Sequence, residues 1–236
     1  FYAGMVNDSS NVVAPAVAEK LGIPAGNVLN MGTVAAMVGV IFFFVMGAVN
    51  RKIGPRVTSF ICLILGGVGY FGMGHANSLA QYAIALCICT IGCMSAGYIS
   101  GGAFVAQWFP KKKGIVMGIT TIGMNLASAL INWILSGLSG QFQISGALSV
   151  LGGVVILLAI LLGIFVKATP EEAGCYPDND PEIAAIIKAE EEGVKEMEKV
   201  SYAGALKNKY VWIFGLGAGC FGLATVGIMS QLVSYF

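Results

Sequence analysis

Charged residues punctuate this chain at long intervals. Thirty residues without Asp, Glu, Lys or Arg separate Lys20 from Arg51, 54 separate Arg56 from Lys111, 53 separate Lys113 from Lys167, and 27 follow Lys209. A helix that crosses a hydrocarbon core of about 30 Å needs about 20 apolar residues at about 1.5 Å each. The four stretches therefore predict one, two, two and one spanning helices. Breaks at Gly74-His75-Ala76-Asn77-Ser78 and at Ser139-Gly140-Gln141 divide the long ones. The predicted spans are 28–49, 57–74, 79–106, 114–138, 144–167 and 210–236. Residues 1–18, apolar but carrying Asn7, Asp8 and Asn11, predict the second half of a further helix whose beginning is absent. Closed β-barrels are the other architecture that satisfies the backbone in lipid. Runs such as 150–166 do not alternate as barrel strands would. The predicted class is all-α, a polytopic membrane helix bundle.

Composition agrees. The chain of 236 residues is 57% hydrophobic and 11% charged, with mean hydropathy +0.82. A soluble domain carries roughly 25% charged residues, so a water-soluble enzyme or nucleic-acid binder is excluded, and the lipid bilayer is the expected partner. A net charge of +1 points to no polyanion. The basic residues are placed asymmetrically: Arg51, Lys52 and Arg56 share one short loop, and Lys111, Lys112 and Lys113 share another two helices later. By parity, Lys167 and the 168–209 segment lie on the same side, which the positive-inside rule makes cytoplasmic in a cell-membrane protein. That segment holds every acidic residue except Asp8 and Glu19. Its prolines predict an irregular start, and Ile183, Ile186, Ile187, Val194 and Met197 fall at helical spacing in 182–200. An amphipathic surface helix and a solvated linker both fit that pattern. Three regions follow: a bundle over 1–167 with its first helix truncated, a central loop over 168–209, and a truncated helix over 210–236.

Candidate chemistry is sparse. Cys62, Cys87, Cys89, Cys93 and Cys220 fall in apolar helices, and no histidine or carboxylate accompanies Cys89 and Cys93. They read as packing residues and hold no metal. His75 is the sole histidine, in an outside turn. Neither a nucleophile–base set nor a glycine-rich phosphate loop is present, so no enzyme chemistry and no cofactor is expected. Gly97/Gly101, Gly114/Gly118 and Gly215/Gly219 form GxxxG pairs, and Gly66, Gly67, Gly69, Gly72 and Gly74 crowd one helix. Small residues let helices approach closely in lipid.

Two loops carry a resemblance. The segment Gly47-Ala48-Val49-Asn50-Arg51-Lys52-Ile53-Gly54-Pro55-Arg56 resembles the signature loop between helices two and three of the major facilitator superfamily. Gly47, Gly54 and Arg56 match, and Arg51 replaces the usual aspartate. The loop from Gln107 to Gly118, with Trp108, Pro110, Lys113 and Gly114, is similar to the loop between helices four and five of the oxalate–formate antiporter and monocarboxylate-porter group. The resemblance implies a twelve-helix secondary transporter of two six-helix halves around a central cavity. This chain would be the N-terminal half plus the start of helix seven, with the C-terminal half of the same chain missing. It further implies that helices one, two, four and five contribute to the cavity.

Polar residues inside hydrocarbon mark interior faces, because an unpartnered polar group there is costly. Asp8 lies ten residues before Ala18, about 15 Å deep at about 1.5 Å per residue, and is a candidate site for a proton, a cation or a substrate amine. Asn7 adjoins it, and Asn11 stands one turn outward. Tyr98 matches a cavity-facing tyrosine of the antiporter family. Asn125, Ser128, Asn132 and Ser136 recur at i, i+3, i+7 and i+11, one face of helix five. The expected function is secondary transport of a small-molecule substrate, organic anions such as mono- or dicarboxylates, with a proton or counter-substrate coupled to it. In the antiporter family the basic residues that hold carboxylates lie in the second half. Proton-driven efflux of amphipathic compounds is the alternative within carriers. A channel or a non-transporting membrane protein is the alternative outside them.

Overall fold

The computed structural model describes residues 2–194, 208–213, 215–217 and 219–220. Among the described residues there is no strand, and the chain is an all-α membrane helix bundle. Three continuous helical stretches are long and apolar enough to cross a membrane: Ala25–His75, Leu79–Trp108 and Lys113–Phe165, with mean hydropathy of 2.3, 1.8 and 2.9 in their most apolar windows. The first and third run to 51 and 53 residues. Straight helices of that length would measure more than 70 Å at about 1.5 Å per residue, so each must fold back. Each does so at a single non-helical residue, Gly54 in the first and Gln143 in the third. The bundle is therefore α1 (Tyr2–Leu21), α2 (25–53), α3 (55–75), α4 (Leu79–Trp108), α5 (113–142) and α6 (144–165).

The boundaries correct the sequence reading in three places. Helix α1 continues past Ala18 to Leu21, where Gly22 takes φ +65°. There the Ile23 N–H donates to the Ala18 carbonyl at 3.0 Å and the chain leaves in a Schellman cap. The second turn falls at Gln143 and not at 139–141, because one left-handed residue suffices to reverse the chain. The first turn is equally short. Gly54 at φ +81° makes it, Pro55 opens the next helix where its missing N–H costs nothing, and the Thr58 hydroxyl donates to the Gly54 carbonyl at 2.8 Å.

Glycine decides the packing, though not through the GxxxG pairs at 114/118 and 215/219. A Cβ on Gly114, Gly118, Gly215 or Gly219 would meet nothing within 4 Å. Helix α3 instead uses two glycine faces. On one, a Cβ on Gly69 would lie 2.6 Å from the Cys89 backbone, and one on Gly66 would lie 2.6 Å from Cys93 Sγ. On the other, a Cβ on Gly67 would lie 2.9 Å from the Gly152 carbonyl oxygen, and one on Gly74 would lie 2.9 Å from that of Ser145. So α3 lies between α4 and α6, and Cys62, Cys89 and Cys93 are fully buried packing residues. Lys20 Nζ donates to the Gly74 carbonyl at 2.8 Å, joining the ends of α1 and α3.

The described residues divide into two compact units, Phe1–Ala184 and Ala185–Phe236. The first includes the start of the central loop, which is irregular as expected, with two single 3-10 turns between Phe165 and Pro181. Around the turn Glu171–Ala173 the Glu172 N–H donates to the Thr169 hydroxyl at 3.4 Å, and the Glu172 carboxylate accepts the Ala168 N–H at 3.1 Å. A second turn, Pro177–Asn179, buries Pro177 and Asp178. The Asp178 carboxylate accepts the backbone N–H groups of Lys111 at 2.8 Å and Lys112 at 3.3 Å. It thereby caps the start of α5 from 66 residues away, satisfying donors that the helix leaves open. Helix α7 (Pro181–Val194) follows, starting one residue before the 182–200 expected, and 195–207 lie outside the described residues. In the second unit, 209–213, 215–217 and 219–220 are helical, and the rest of the expected 210–236 helix lies outside the described residues.

Candidate functional site

A cavity of about 350 Å³ opens among α1, α2 and α4, with α3 at its back. Its polar lining consists of hydroxyls: Ser9 and Ser10 from α1, Tyr70 from α3, and Tyr82, Thr90 and Tyr98 from α4. The remainder is aliphatic or aromatic, including Val13, Phe43, Met73 and Leu86. Among the described residues lining it, none is charged. The cavity is an apolar concavity with a few placed polar groups, the usual form of a small-molecule site.

The predicted site residues distribute unevenly around it. Tyr98 lines the cavity, half exposed, with its hydroxyl 3.7 Å from Met124 Sδ of α5. It sits in a π-helical turn, Ser95–Ser100, a local widening of α4 of a kind often found at functional sites. Tyr98 also borders a second cavity of about 290 Å³, between the facing ends of α4 and α5 and floored by Ser59. Asn7, Asp8 and Asn11 fall in α1, which brings Ser9 and Ser10 to the cavity, but their side chains lie outside the described residues. The α5 stripe is not brought there. Asn125 is exposed, the Ser128 hydroxyl donates to the Met124 carbonyl at 3.1 Å, and Asn132 Nδ2 donates to the Ser128 carbonyl at 3.4 Å. Serine and asparagine can donate to carbonyls of their own helix, but Asn132 Oδ1 is buried with no hydrogen-bond partner.

The signature loops build the opposite end of the bundle. Arg56 Nη2 donates to the Gly163 carbonyl at 2.6 Å, so the cation ties α3 to the C-terminal turn of α6, where positive charge is favoured. Gly54 is the turn residue itself. Gly47 meets nothing within 4 Å, and Arg51 is exposed. Trp108 ends α4 half-buried, Pro110 is half-buried in the turn, and Lys113 and Gly114 start α5 on the surface.

Sequence reasoning missed three features. The first is Asn50, buried beside the replaced aspartate, whose Oδ1 accepts the Ser100 hydroxyl at 3.2 Å. A neutral pair joins α2 to α4 where the family's charge would stand. The second is Asp178, indistinguishable by sequence from its acidic neighbours. The third is Tyr70, completely buried, whose hydroxyl makes no hydrogen bond. An orphaned buried hydroxyl costs about 1–3 kcal/mol. The signal was available, since Tyr70 is a hydroxyl inside a glycine-rich apolar run, as Tyr98 is.

Comparisons with known proteins agree with this architecture. The chain is 24% identical over 177 residues to an "Uncharacterized 38 kDa protein in 23S RNA operon" of Thermoproteus tenax; the match covers 71% of this chain and 44% of the relative. The match thus spans less than half the length of that relative. A family model described as Major Facilitator Superfamily matches residues 1–236. With the helical bundle, the glycine turn of the signature loop and a match along its whole length, the chain belongs to the Major Facilitator Superfamily.

Proposed function

We propose that this protein carries small organic solutes across the membrane by alternating access and that its substrates are organic anions, mono- or dicarboxylates. Membership of a transporter superfamily gives the general role. The observation that carries the substrate reading is the hydroxyl-lined cavity among α1, α2 and α4. Several neutral O–H donors in an apolar, enclosed setting suit carboxylate oxygens, because such bonds strengthen away from water. The Gln107–Gly118 loop and Tyr98 support placement near the oxalate–formate antiporter and monocarboxylate-porter group. In this reading residues 1–167 form one half of a two-half carrier, 168–209 connect the halves, and the substrate meets Tyr98 together with the polar residues of α1, Asn7, Asp8 and Asn11. Coupling is to a counter-substrate or a proton.

A second reading, proton-driven efflux of amphipathic compounds, draws on Asp8 as an acid within a span of otherwise uncharged residues. One panel separates the two. Proteoliposomes of the full-length protein are offered labelled oxalate, lactate and succinate, and separately a lipophilic amine under an imposed proton gradient. Saturable carboxylate uptake that survives loss of the gradient supports the first reading. Gradient-dependent movement of the amine alone supports the second and contradicts the first.

The loops with Arg51–Arg56 and Lys111–Lys113 face the cytoplasm in this proposal, with Cys175 on the same side. Cys175 is exposed, whereas Cys62, Cys89 and Cys93 are buried. With Cys87 and Cys220 replaced by serine, a membrane-impermeant maleimide should label Cys175 only after permeabilisation of cells. Labelling of intact cells would reverse the orientation.

A further inference from the structure

Arg56 stands in the first turn of α3 and Gly163 in the last turn of α6, at the end of the bundle that carries the basic loops. Gly163 has no side chain, and the Phe60 ring lies over it, so that a Cβ there would sit 2.9 Å from Phe60 Cδ2. The surface is recessed as a result. A groove of about 400 Å³ runs between Val57 and Phe60 of α3 and Ile160 and Ile164 of α6, with Arg56 at the end nearest the helix termini. It shares no residue with the cavity among α1, α2 and α4. Val57, Ile160 and Ile164 are exposed. On a spanning helix, exposed aliphatic side chains meet acyl chains, and the helix ends meet the headgroups.

The charge at this end of the groove is unbalanced. Among the described residues Arg56 pairs with no carboxylate, and its one hydrogen-bond acceptor is the Gly163 carbonyl. A guanidinium carries five N–H donors in a rigid fork, so that bond holds the fork in place and leaves donors for a second acceptor. Lys167, exposed four residues beyond Gly163, adds a cation at the same end. Of the two acids that follow, Glu172 is engaged by the Ala168 N–H and Glu171 is exposed.

We propose that this groove binds an anionic phospholipid, with the lipid phosphate on Arg56 and one acyl chain along Val57, Phe60, Ile160 and Ile164. The guanidinium fork matches two phosphate oxygens, and basic pockets between membrane helices suit acidic headgroups. Every phospholipid has a phosphate, so the rest of the headgroup sets the selectivity. A choline group brings its own cation toward Arg56 and Lys167; a glycerol group does not. The bound lipid bridges α3 and α6 beside the Arg56–Gly163 bond, so occupancy stabilises the bundle by mass action.

The test is thermal unfolding of the purified full-length protein in nonionic detergent, with dioleoylphosphatidylglycerol, dioleoylphosphatidylcholine or glycerol 3-phosphate added. The phosphatidylglycerol should raise the melting temperature of the wild type well above the effect of the other two. Arg56→Gln loses the bond to Gly163 and should melt lower without lipid, and it should respond equally to both lipids. Ile164→Trp leaves Arg56 in place and fills the groove from an exposed position, so it reads the site even if Arg56→Gln fails to fold. It should melt as wild type without lipid and need at least tenfold more phosphatidylglycerol for the same shift. Lys113→Gln, in the other basic loop, should respond as wild type. Equal shifts of the wild type with both lipids overturn the proposal, as does an unchanged response in Ile164→Trp. Loss of the preference in Lys113→Gln would describe diffuse attraction to a basic face and overturn the site. Glycerol 3-phosphate as effective as the whole lipid would assign Arg56 a free phosphate and overturn the lipid reading.

Discussion

Gly92→Ala will prevent the bundle from assembling, whereas Gly114→Ala will not. A Cβ on Gly92 would run into the Cys62 carbonyl and the Gly66 backbone N–H and Cα, all main-chain atoms of α3. Side chains can swing aside; a backbone held by its own helical hydrogen bonds cannot. The same contact is locked from the other side, because Gly69 has no room for a Cβ against Cys89. Overpacking in a soluble core costs about 1–3 kcal/mol. A methyl group placed against an opposing backbone should exceed the upper figure, at least about 3 kcal/mol. Gly114 opens onto empty space in the first turn of α5, so its alanine variant loses no contact. The measurement is yield of monodisperse protein by size-exclusion chromatography after detergent extraction. Gly92→Ala should be absent or aggregated while Gly114→Ala matches wild type. Equal recovery of the two would mean that the α3–α4 contact does not hold the bundle together.

Gly32→Phe should abolish transport without disturbing the fold. Gly32 lines the cavity from α2, and a Cβ there meets no atom within 4 Å. A side chain rooted there starts in open space at the cavity wall, so a benzyl group should occupy the space a solute would take. Initial carboxylate uptake should fall at least tenfold, a change of about 1.4 kcal/mol, with the melting temperature unchanged. Gly26→Phe is the control, since Gly26 also opens onto free space but lies away from the cavity lining. Its uptake should equal wild type. Full activity in Gly32→Phe would remove this cavity from the transport path.

The spans were legible in the sequence because hydrocarbon thickness and the cost of buried charge act on every residue of a membrane helix. Turn positions were legible only to within a few residues, because a reversal here needs one residue of positive φ. Gly54 advertises that and Gln143 does not. Helix contacts were less legible. The GxxxG spacing at 114/118 says two small residues share a face, but nothing in it says whether a partner approaches. The glycines that do meet a partner, Gly66, Gly69 and Gly92, form no such pair among themselves. The pairs Asn50–Ser100 and Asp178–Lys111 join residues 50 and 67 positions apart. Nothing local announces either bond. At the site, Tyr98 reached the cavity through a resemblance. Tyr70 did not, because the same resemblance leaves α3 outside the cavity. The α5 stripe lies outside this cavity, and Ser128 and Asn132 each donate to the carbonyl one turn back, as hydroxyl and amide groups can in an apolar setting.

The claim beneath all of this is that the protein is a carrier, which binds its substrate on one side, reorients and releases it on the other. Counterflow in proteoliposomes of the full-length protein tests it most directly. Vesicles loaded with unlabelled carboxylate are diluted into a trace of the labelled compound, with no proton or voltage gradient imposed. A carrier accumulates label transiently above equilibrium, because loaded sites return faster than empty ones. The account predicts that overshoot, and predicts its loss in Gly32→Phe. Label that only equilibrates, at a rate indifferent to the internal load, would describe a channel and contradict the account.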